Sequence, residues 1–149
     1  MRVLYFDCFS GAAGDMILGA LLDAGAPESE VRSSLDALEL PGWELTVDEV
    51  TKGGVRAVQV TVTTDGDSES RSYAQIRELL ERAPLRRRIQ DRALRAFRGL
   101  AEAEGRIHRI EPDDVHFHEV GGVDAIVDIV GCAAAIDHFD PVRVVTSPI

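Results

Sequence analysis

Two runs of alternating apolar and polar residues, joined by a glycine pair, constrain the fold of this 149-residue chain most strongly. Trp43, Leu45 and Val47 alternate with polar residues, and a second run from Val55 to Thr63 alternates in the same way. A period of two is typical of a strand that buries one face. The segment Lys52-Gly53-Gly54 supplies a short turn between the two runs. The sequence therefore predicts an antiparallel β-hairpin.

Apolar residues at helical spacing predict helices on both sides of this hairpin. In chain order, we expect a buried strand at 2–6, helices at 16–24 and from Pro27, the hairpin, a polar loop at 65–70, helices from Tyr73 and from Leu85 to Leu100, a helix from about Glu119 to His138, and a strand from Val142 to Thr146. This order fits an elaborated ferredoxin-like β-α-β-β-α-β unit in one domain, residues 1–149. The predicted fold class is α+β, with a mainly antiparallel sheet and helices on one face.

Net charge, hydropathy and cysteine spacing indicate the partners and the compartment of this chain. Twenty-six acidic against sixteen basic residues give a formal net charge of -10, which repels nucleic acid and anionic membranes and attracts cations. No signal peptide is evident, and the longest apolar run, 120–136, is too short and too acidic to span a membrane. Cys8 and Cys132 lack the spacing of a disulfide framework. We therefore expect a cytoplasmic protein with no nucleic-acid or membrane partner.

The densest set of metal-capable side chains lies in the run VHFHEVGGVDAIVDIVG, residues 115–131. In an extended segment His116 and His118 leave the same face, while Phe117 points into apolar material. Glu119 adds a carboxylate beside them. Imidazole suits zinc, nickel, copper and iron, so the spacing predicts a metal site without naming the metal. Histidines satisfied in the core or at the surface are the alternative explanation.

A second group of candidate ligands follows the Gly121-Gly122 pair, where the spacing becomes helical. Asp124 and Asp128 stand four residues apart and so share one side of a helix. Two like charges at that spacing are unfavourable unless water, a basic partner or a cation offsets them. His108, ten residues before His118, is a supporting candidate.

The turn at residues 10–14, of sequence SGAAG, precedes the first predicted helix. Backbone N-H groups of Ser10, Gly11 and Gly14 could face an anion there, although the turn lacks the lysine of a P-loop. Small residues for tight helix-strand packing explain the turn equally well. Asp7 and Asp15 flank it and would repel a bare phosphate, but they could bind one through a shared cation.

A basic stripe is predicted on the longest helix, where Arg88, Arg92 and Arg95 follow helical spacing. Such a stripe could meet a phosphate through charge-assisted hydrogen bonds. A solvated face that pairs with nearby acids is the alternative.

Three blocks of the sequence carry a family resemblance. The run at 115–131, the opening LYFDCFSGAAGDMILGALLD and the segment AEAEGRIH resemble the N-terminal region of the LarC family of nickel-insertion proteins, and the likeness extends from Met1 to Ile149. Ser70 departs from the pattern, because many members carry histidine before the arginine. Family members are longer, and the resemblance implies that this chain corresponds to their N-terminal domain.

The resemblance implies a nickel chelatase of the lyase type. Nickel would be inserted into a pyridinium bis-thiocarboxylic acid mononucleotide, with CTP hydrolysis and manganese or magnesium involved, to form the nickel pincer cofactor. In the family the CTP-dependent step is associated with a C-terminal region beyond the part that this chain resembles, so we expect the chain alone to be incomplete. Two alternatives stay open: a metal-dependent nucleotide phosphohydrolase centred on Asp7 and Asp15, and a non-catalytic metal-binding assembly subunit.

The last strand is apolar up to Ile149. Unpaired strand edges offer N-H and C=O groups to neighbours. We therefore expect pairing with a C-terminal counterpart or with further copies of the chain in a homo-oligomer.

Overall fold

The computed structural model describes residues 2–9, 11–65, 70–118 and 120–148. Within these residues the fold is mixed α/β, with five α-helices, one 3-10 turn and two small sheets. In chain order the elements are β1 (Val3–Phe6), α1 (Gly14–Asp23), α2 (Glu28–Asp36), β2 (Trp43–Lys52), β3 (Val55–Thr64), α3 (Tyr73–Arg82), α4 (Arg87–His108), the 3-10 turn Pro112–Asp114, α5 (Val123–Phe139) and β4 (Arg143–Thr146). The predicted loop at 65–70 falls largely on 66–69, outside the described residues.

The predicted hairpin is confirmed. Strands β2 and β3 pair antiparallel, from Trp43 opposite Thr64 to Lys52 opposite Val55. Gly53 and Gly54 have φ angles of 58° and 80°, which a two-residue hairpin turn requires and which glycine adopts without strain. Leu45 and Val60 are buried on the inner face. The alternation of apolar and polar residues thus indicates which side of the hairpin packs on the core.

The predicted single, mainly antiparallel sheet does not form, and neither does the ferredoxin-like arrangement. Strands β1 and β4 pair with each other in parallel, with Val3 opposite Arg143 and Phe6 opposite Thr146, and the hairpin forms a separate sheet. Periodicity identifies a strand but not its partner. Strand β1 is also less buried than predicted, because Tyr5 is 61% exposed.

Helix α5 lies at the centre of the core. Ile126, Val127 and Val130 are fully buried, and the helix contacts α1, α2 and α4. It begins at Val123, four residues later than predicted, and Gly122 is its extended N-cap residue. The glycine pair thus separates the histidine segment from the helix.

Helix α4 packs on α5 through the apolar stripe that the sequence predicts. Ile89, Ala93, Phe97 and Ala101 are fully buried. The helix begins at Arg87 rather than at Leu85 and extends to His108. The predicted arginine stripe lines a groove that α4 forms with α3, and Arg88 and Arg92 also contact Asp137 of α5. No helix among the described residues is both long and apolar enough to cross a membrane.

Candidate functional site

The histidine segment lies against the start of α3. The Tyr73 N-H donates to the Val115 carbonyl at 3.0 Å, and the Phe117 N-H donates to the Arg71 carbonyl at 3.3 Å. Ser72 and His116 form an isolated antiparallel bridge, and the Ser70 hydroxyl donates to the Phe117 carbonyl. The segment is therefore extended, as predicted, and backbone hydrogen bonds fix its register.

Side-chain burial alternates along this segment. Phe117 is 4% exposed, and its ring centroid lies 6.3 Å from that of Phe97 on α4. His116 and His118 are both exposed. Because successive side chains of an extended segment point to opposite faces, the two imidazoles share the solvent face while Phe117 anchors the backbone.

The start of α3 is itself held in place by a capping box. The Ser72 N-H donates to Gln75 Oε1 at 2.8 Å, and the Gln75 N-H donates to Ser72 Oγ at 3.2 Å. A capping box satisfies two otherwise unpaired helix N-H groups and fixes the entry of the chain into the helix. Ser72, which forms the β-bridge with His116, is therefore the capped N-terminus of a helix rather than part of a free loop.

An open cavity of about 460 Å³ adjoins His116. Its lining is polar and includes both acidic and basic side chains. The lining residues are Glu39, Leu40, Pro41, Ser70, Arg71, Gln75, Glu78, Leu79, Arg82 and His116. A metal held by His116 would therefore be open to water on this side and could exchange its remaining ligands.

Glu119 and His108 were the other two candidate ligands predicted to act with the histidine pair. Glu119 lies outside the described residues. His108, at the end of α4, is exposed, and its Nε2 lies 3.1 Å from Glu104 Oε1 one helical turn earlier. The structure thus gives His108 a local partner on its own helix.

Asp124 and Asp128 share one side of α5, as predicted, and a third carboxylate joins them from the other end of the chain. The charges of Asp15 and Asp124 both act on Asp128. Asp15 lies in the first turn of α1, which packs against α5. The three aspartates form what we call the acidic cluster: Asp15, Asp124 and Asp128.

Asp128 lies where burial and neighbouring charges disfavour its ionised form. Burial first, and then the charges of Asp15 and Asp124, raise its pKa from 3.8 to about 6, while a hydrogen bond from the Asp15 backbone N-H lowers it. Its Oδ1 is buried and has no hydrogen-bond partner among the described residues. A buried acceptor without a donor is costly, and a cation would satisfy it.

One backbone N-H at the start of the first helix already has a partner within the chain. Helix α1 begins at Gly14 without a side-chain cap, and the Asp15 N-H in its first turn bonds the Asp128 carboxylate. A Cβ built on Gly14 would lie 2.6 Å from Asp128 Cβ and Oδ2, closer than real atoms approach. Gly14 therefore serves the packing of α1 on α5, the alternative raised for this turn.

Gly11 lies earlier in this turn. Gly11 has a φ angle of 87° and its N-H donates to the Cys8 carbonyl at 2.9 Å. Asp7 is exposed after β1. Ser10 lies outside the described residues. The Asp15 carboxylate accepts from the Met16 N-H at 2.8 Å, and its charge acts on Asp128 and Cys132; none of the described interactions of Asp15 involves Asp7.

Cys132 completes the surroundings of the acidic cluster, and its place there was not predicted. Its thiol donates to the Gly14 carbonyl at 3.4 Å. Burial, followed by the charges of Asp128 and Asp15, raises its pKa to about 12, so the group stays a neutral thiol at neutral pH. Its spacing four residues after Asp128 is the sequence signal that could have placed it on this face.

The structure brings most of the predicted ligands to two places. His116 and His118 lie in the segment beside α3, and the acidic cluster lies between α1 and α5. His108 at the end of α4 and Asp7 after β1 lie apart from both. Within residues 2–9, 11–65, 70–118 and 120–148, no group of three or more His, Cys, Asp or Glu side chains is arranged to hold a metal ion. Histidine ligation would therefore need water, Glu119 or the acceptor molecule to complete the coordination sphere.

Comparisons with known proteins point to one family. The sequence profile of the family described as nickel insertion protein matches residues 4–149. Curated relatives that are provisionally named nickel insertion proteins include those of Thermomicrobium roseum, at 49% identity over 88% of this chain, and of Geobacter sulfurreducens, at 45% over 92%. The relative from Geotalea uraniireducens is 42% identical over the full chain.

The chain spans only 32%, 36% and 39% of the length of these three relatives, respectively. No solved structure matched the chain.

Proposed function

This chain belongs to the nickel insertion protein family, and we propose that it is the metal-handling part of such a protein, in which nickel is the cargo. The observation that supports the role most directly is the exposed pair His116 and His118 on one face of an anchored segment. Neutral imidazole is a good nickel ligand. The buried Phe117 side chain and the backbone hydrogen bonds to residues 71–73 fix the backbone of the pair in the metal-free chain.

The exposure of the pair suits transfer rather than storage. A closed thiolate cage holds metal tightly, whereas a few imidazoles with open coordination positions permit ligand exchange. Both cysteines are free, and Cys8 is buried while Cys132 is held as a neutral thiol. Nickel at the histidines would therefore remain reachable by the sulfur and carbon donors of an organic acceptor.

We assign the acidic cluster a supporting cation. Carboxylate oxygens suit magnesium and manganese, and the unpartnered Asp128 Oδ1 offers such an ion an acceptor that no described donor uses. A bound divalent ion would supply positive charge that neutralises the cluster. Asp128 would hold it together with water, the nearby charges of Asp15 and Asp124 would favour its binding, and Gly14 leaves the space for Asp128 to turn toward α1.

The acceptor we propose is the pyridinium bis-thiocarboxylic acid mononucleotide, giving the nickel pincer cofactor. This assignment, with its CTP requirement, rests on the resemblance to the LarC family rather than on the relatives' names. Because the chain spans about a third of the relatives' length, the complete lyase-type reaction is assigned to this chain together with the region that the relatives carry beyond the matched part.

The competing functions make different predictions for the purified chain. A nucleotide phosphohydrolase would release inorganic phosphate from CTP with magnesium alone. An assembly subunit would bind metal without exchanging it.

Three measurements separate these functions. They are calorimetric titration of the metal-free chain with nickel, manganese, magnesium and zinc, transfer of bound nickel to a chelator, and release of phosphate from CTP. We expect nickel to bind, and magnesium or manganese to bind in addition without displacing it. Nickel should also move to a strong chelator within minutes. Phosphate release, or nickel that no chelator removes, would favour the alternatives.

A further inference from the structure

An open groove of about 610 Å³ lies between α3 and the first half of α4. Five of the nine residues that line it are arginines and two are acids, so the lining carries a net charge of +3 on a chain of -10. The lining residues are Tyr73, Arg77, Glu81, Arg88, Asp91, Arg92, Leu94, Arg95 and Arg98. The groove is therefore a positively charged surface on a chain whose net charge is negative.

Several of these arginines are held in place by acids that do not line the groove. Arg77 meets Asp113 at 2.7 Å, and its guanidinium lies 5.5 Å from the centre of the Tyr73 ring. Arg98 meets Glu102 at 2.8 Å. Since each guanidinium carries five donors, one carboxylate contact leaves donors free for a second anion.

The buried carboxylate of Asp137 organises the other end of the groove. Its side chain is 5% exposed and lies within 3.4 Å of Arg86, Arg88 and Arg92. Three guanidinium groups thus converge on one buried carboxylate. Arg92 is the least exposed of them, at 21%, so its position is fixed by packing as well as by charge.

Arg95 differs from its neighbours. It lies one turn after Arg92 on the same face of α4, and it has no carboxylate within 4.0 Å among the described residues. The other α4 arginines that line the groove, Arg88, Arg92 and Arg98, each meet a carboxylate. The groove therefore combines oriented arginines with one whose charge is uncompensated by any described side chain.

We propose that this groove binds a phosphate-bearing anion, with Arg92 and Arg95 as its direct ligands. The planar guanidinium matches phosphate oxygens in a two-point geometry that a lysine cannot copy. The volume lies within the range of small-molecule sites. Free phosphate and a small phosphomonoester share this chemistry, and the proposal is independent of nickel binding at the histidines.

The test is calorimetric titration of the chain with inorganic phosphate, pyrophosphate and cytidine monophosphate at low, fixed ionic strength. We expect binding of at least one of these probes, and Arg95→Gln should weaken it about 10-fold or more, the usual effect of losing a charge-assisted hydrogen bond. Tighter binding of the mononucleotide would identify a phosphomonoester, and equal binding of inorganic phosphate a free anion.

Arg106→Gln is the matched control, because Arg106 is exposed on the same helix, lies outside the groove and also has no described carboxylate partner. It should change the affinity less than about 2-fold, within ordinary scatter for a distant surface charge. Arg95→Lys keeps the charge but should still weaken binding. Absence of binding by every probe, or equal losses in the Arg95→Gln and Arg106→Gln variants, overturns the proposal.

Discussion

Asp128 holds a carboxyl group where its charge is disfavoured. Burial and the neighbouring aspartates raise its pKa to about 6, and its Oδ1 lacks a donor. At neutral pH the group is nevertheless ionised. The native chain without metal therefore contains an unfavourable charge, which a divalent cation would relieve.

We predict that Asp128→Asn stabilises the metal-free chain at pH 7. Because the pKa is 3.8 ordinarily and about 6 in the fold, the native state binds more protons than the unfolded state between these values. Stability thus falls as pH rises through this window and stays low above it. The gain should be on the order of 1–3 kcal/mol at pH 7 and should vanish near pH 4.

Denaturant unfolding with a metal chelator present, at pH 4 and pH 7, measures this difference. Asp124→Asn is the control, since Asp124 is exposed and should give a smaller gain. An Asp128→Asn variant with the same stability as the unmodified chain at both pH values would contradict the role assigned to burial.

The sequence predicted only part of this site, for a physical reason. Helical spacing is local, so it placed Asp124 and Asp128 on one side of α5. The contact with Asp15 and Gly14 joins segments more than a hundred residues apart, and no local pattern reports it. The histidine pair was predictable because alternation around Phe117 is local as well.

At the scale of secondary-structure elements, the approach of α1 to α5 depends on Gly14. An alanine Cβ there would meet Asp128 at 2.6 Å, so Gly14→Ala should force the helices apart. We expect a loss of about 1–3 kcal/mol in the free energy of unfolding, as is usual for overpacking. Denaturant unfolding measures it.

Gly99→Ala provides the comparison. Gly99 lies within α4, and a Cβ there would have no atom within 4 Å. Helix propensity alone should then stabilise the chain by up to about 1 kcal/mol. Similar effects of the two substitutions would contradict the close packing at Gly14.

The elements themselves were largely predictable, and their partners were not. The hairpin followed from alternation on both sides of Gly53-Gly54, and the α4 stripe followed from apolar spacing. The pairing of β1 with β4 involves two four-residue strands at opposite ends of the described chain. The residue pattern of either strand is equally compatible with pairing to the hairpin. The prediction of a single sheet was wrong because the pattern does not specify the partner.

At the scale of the whole molecule, the β1-β4 sheet suggests where further polypeptide binds. Parallel sheets are usually covered on both faces. Here Val3, Tyr5 and Val144 are 49%, 61% and 46% exposed. We propose that the region the relatives carry beyond the matched third covers this sheet, and that a second copy of the chain is the alternative occupant.

Hydrogen exchange can test this proposal with the corresponding region of the Thermomicrobium roseum protein added in trans. Backbone amides of β1 and β4 should become protected, because their hydrogen bonds would no longer open to water. Amides of β2 and β3 should not change. Unaltered exchange in β1 and β4 would count against this docking surface, and protection that rises with chain concentration alone would indicate a homo-oligomer.

The central claim is that His116 and His118 bind nickel, and calorimetry of the double variant His116→Ala/His118→Ala tests it most directly. The unmodified chain should bind nickel, with an affinity that falls as protons compete for the ring nitrogens at lower pH. The double variant should lose this binding, whereas His108→Ala should retain it, because His108 is paired with Glu104 on α4. An unmodified chain that binds no nickel, or a double variant that binds it equally well, would contradict the assignment.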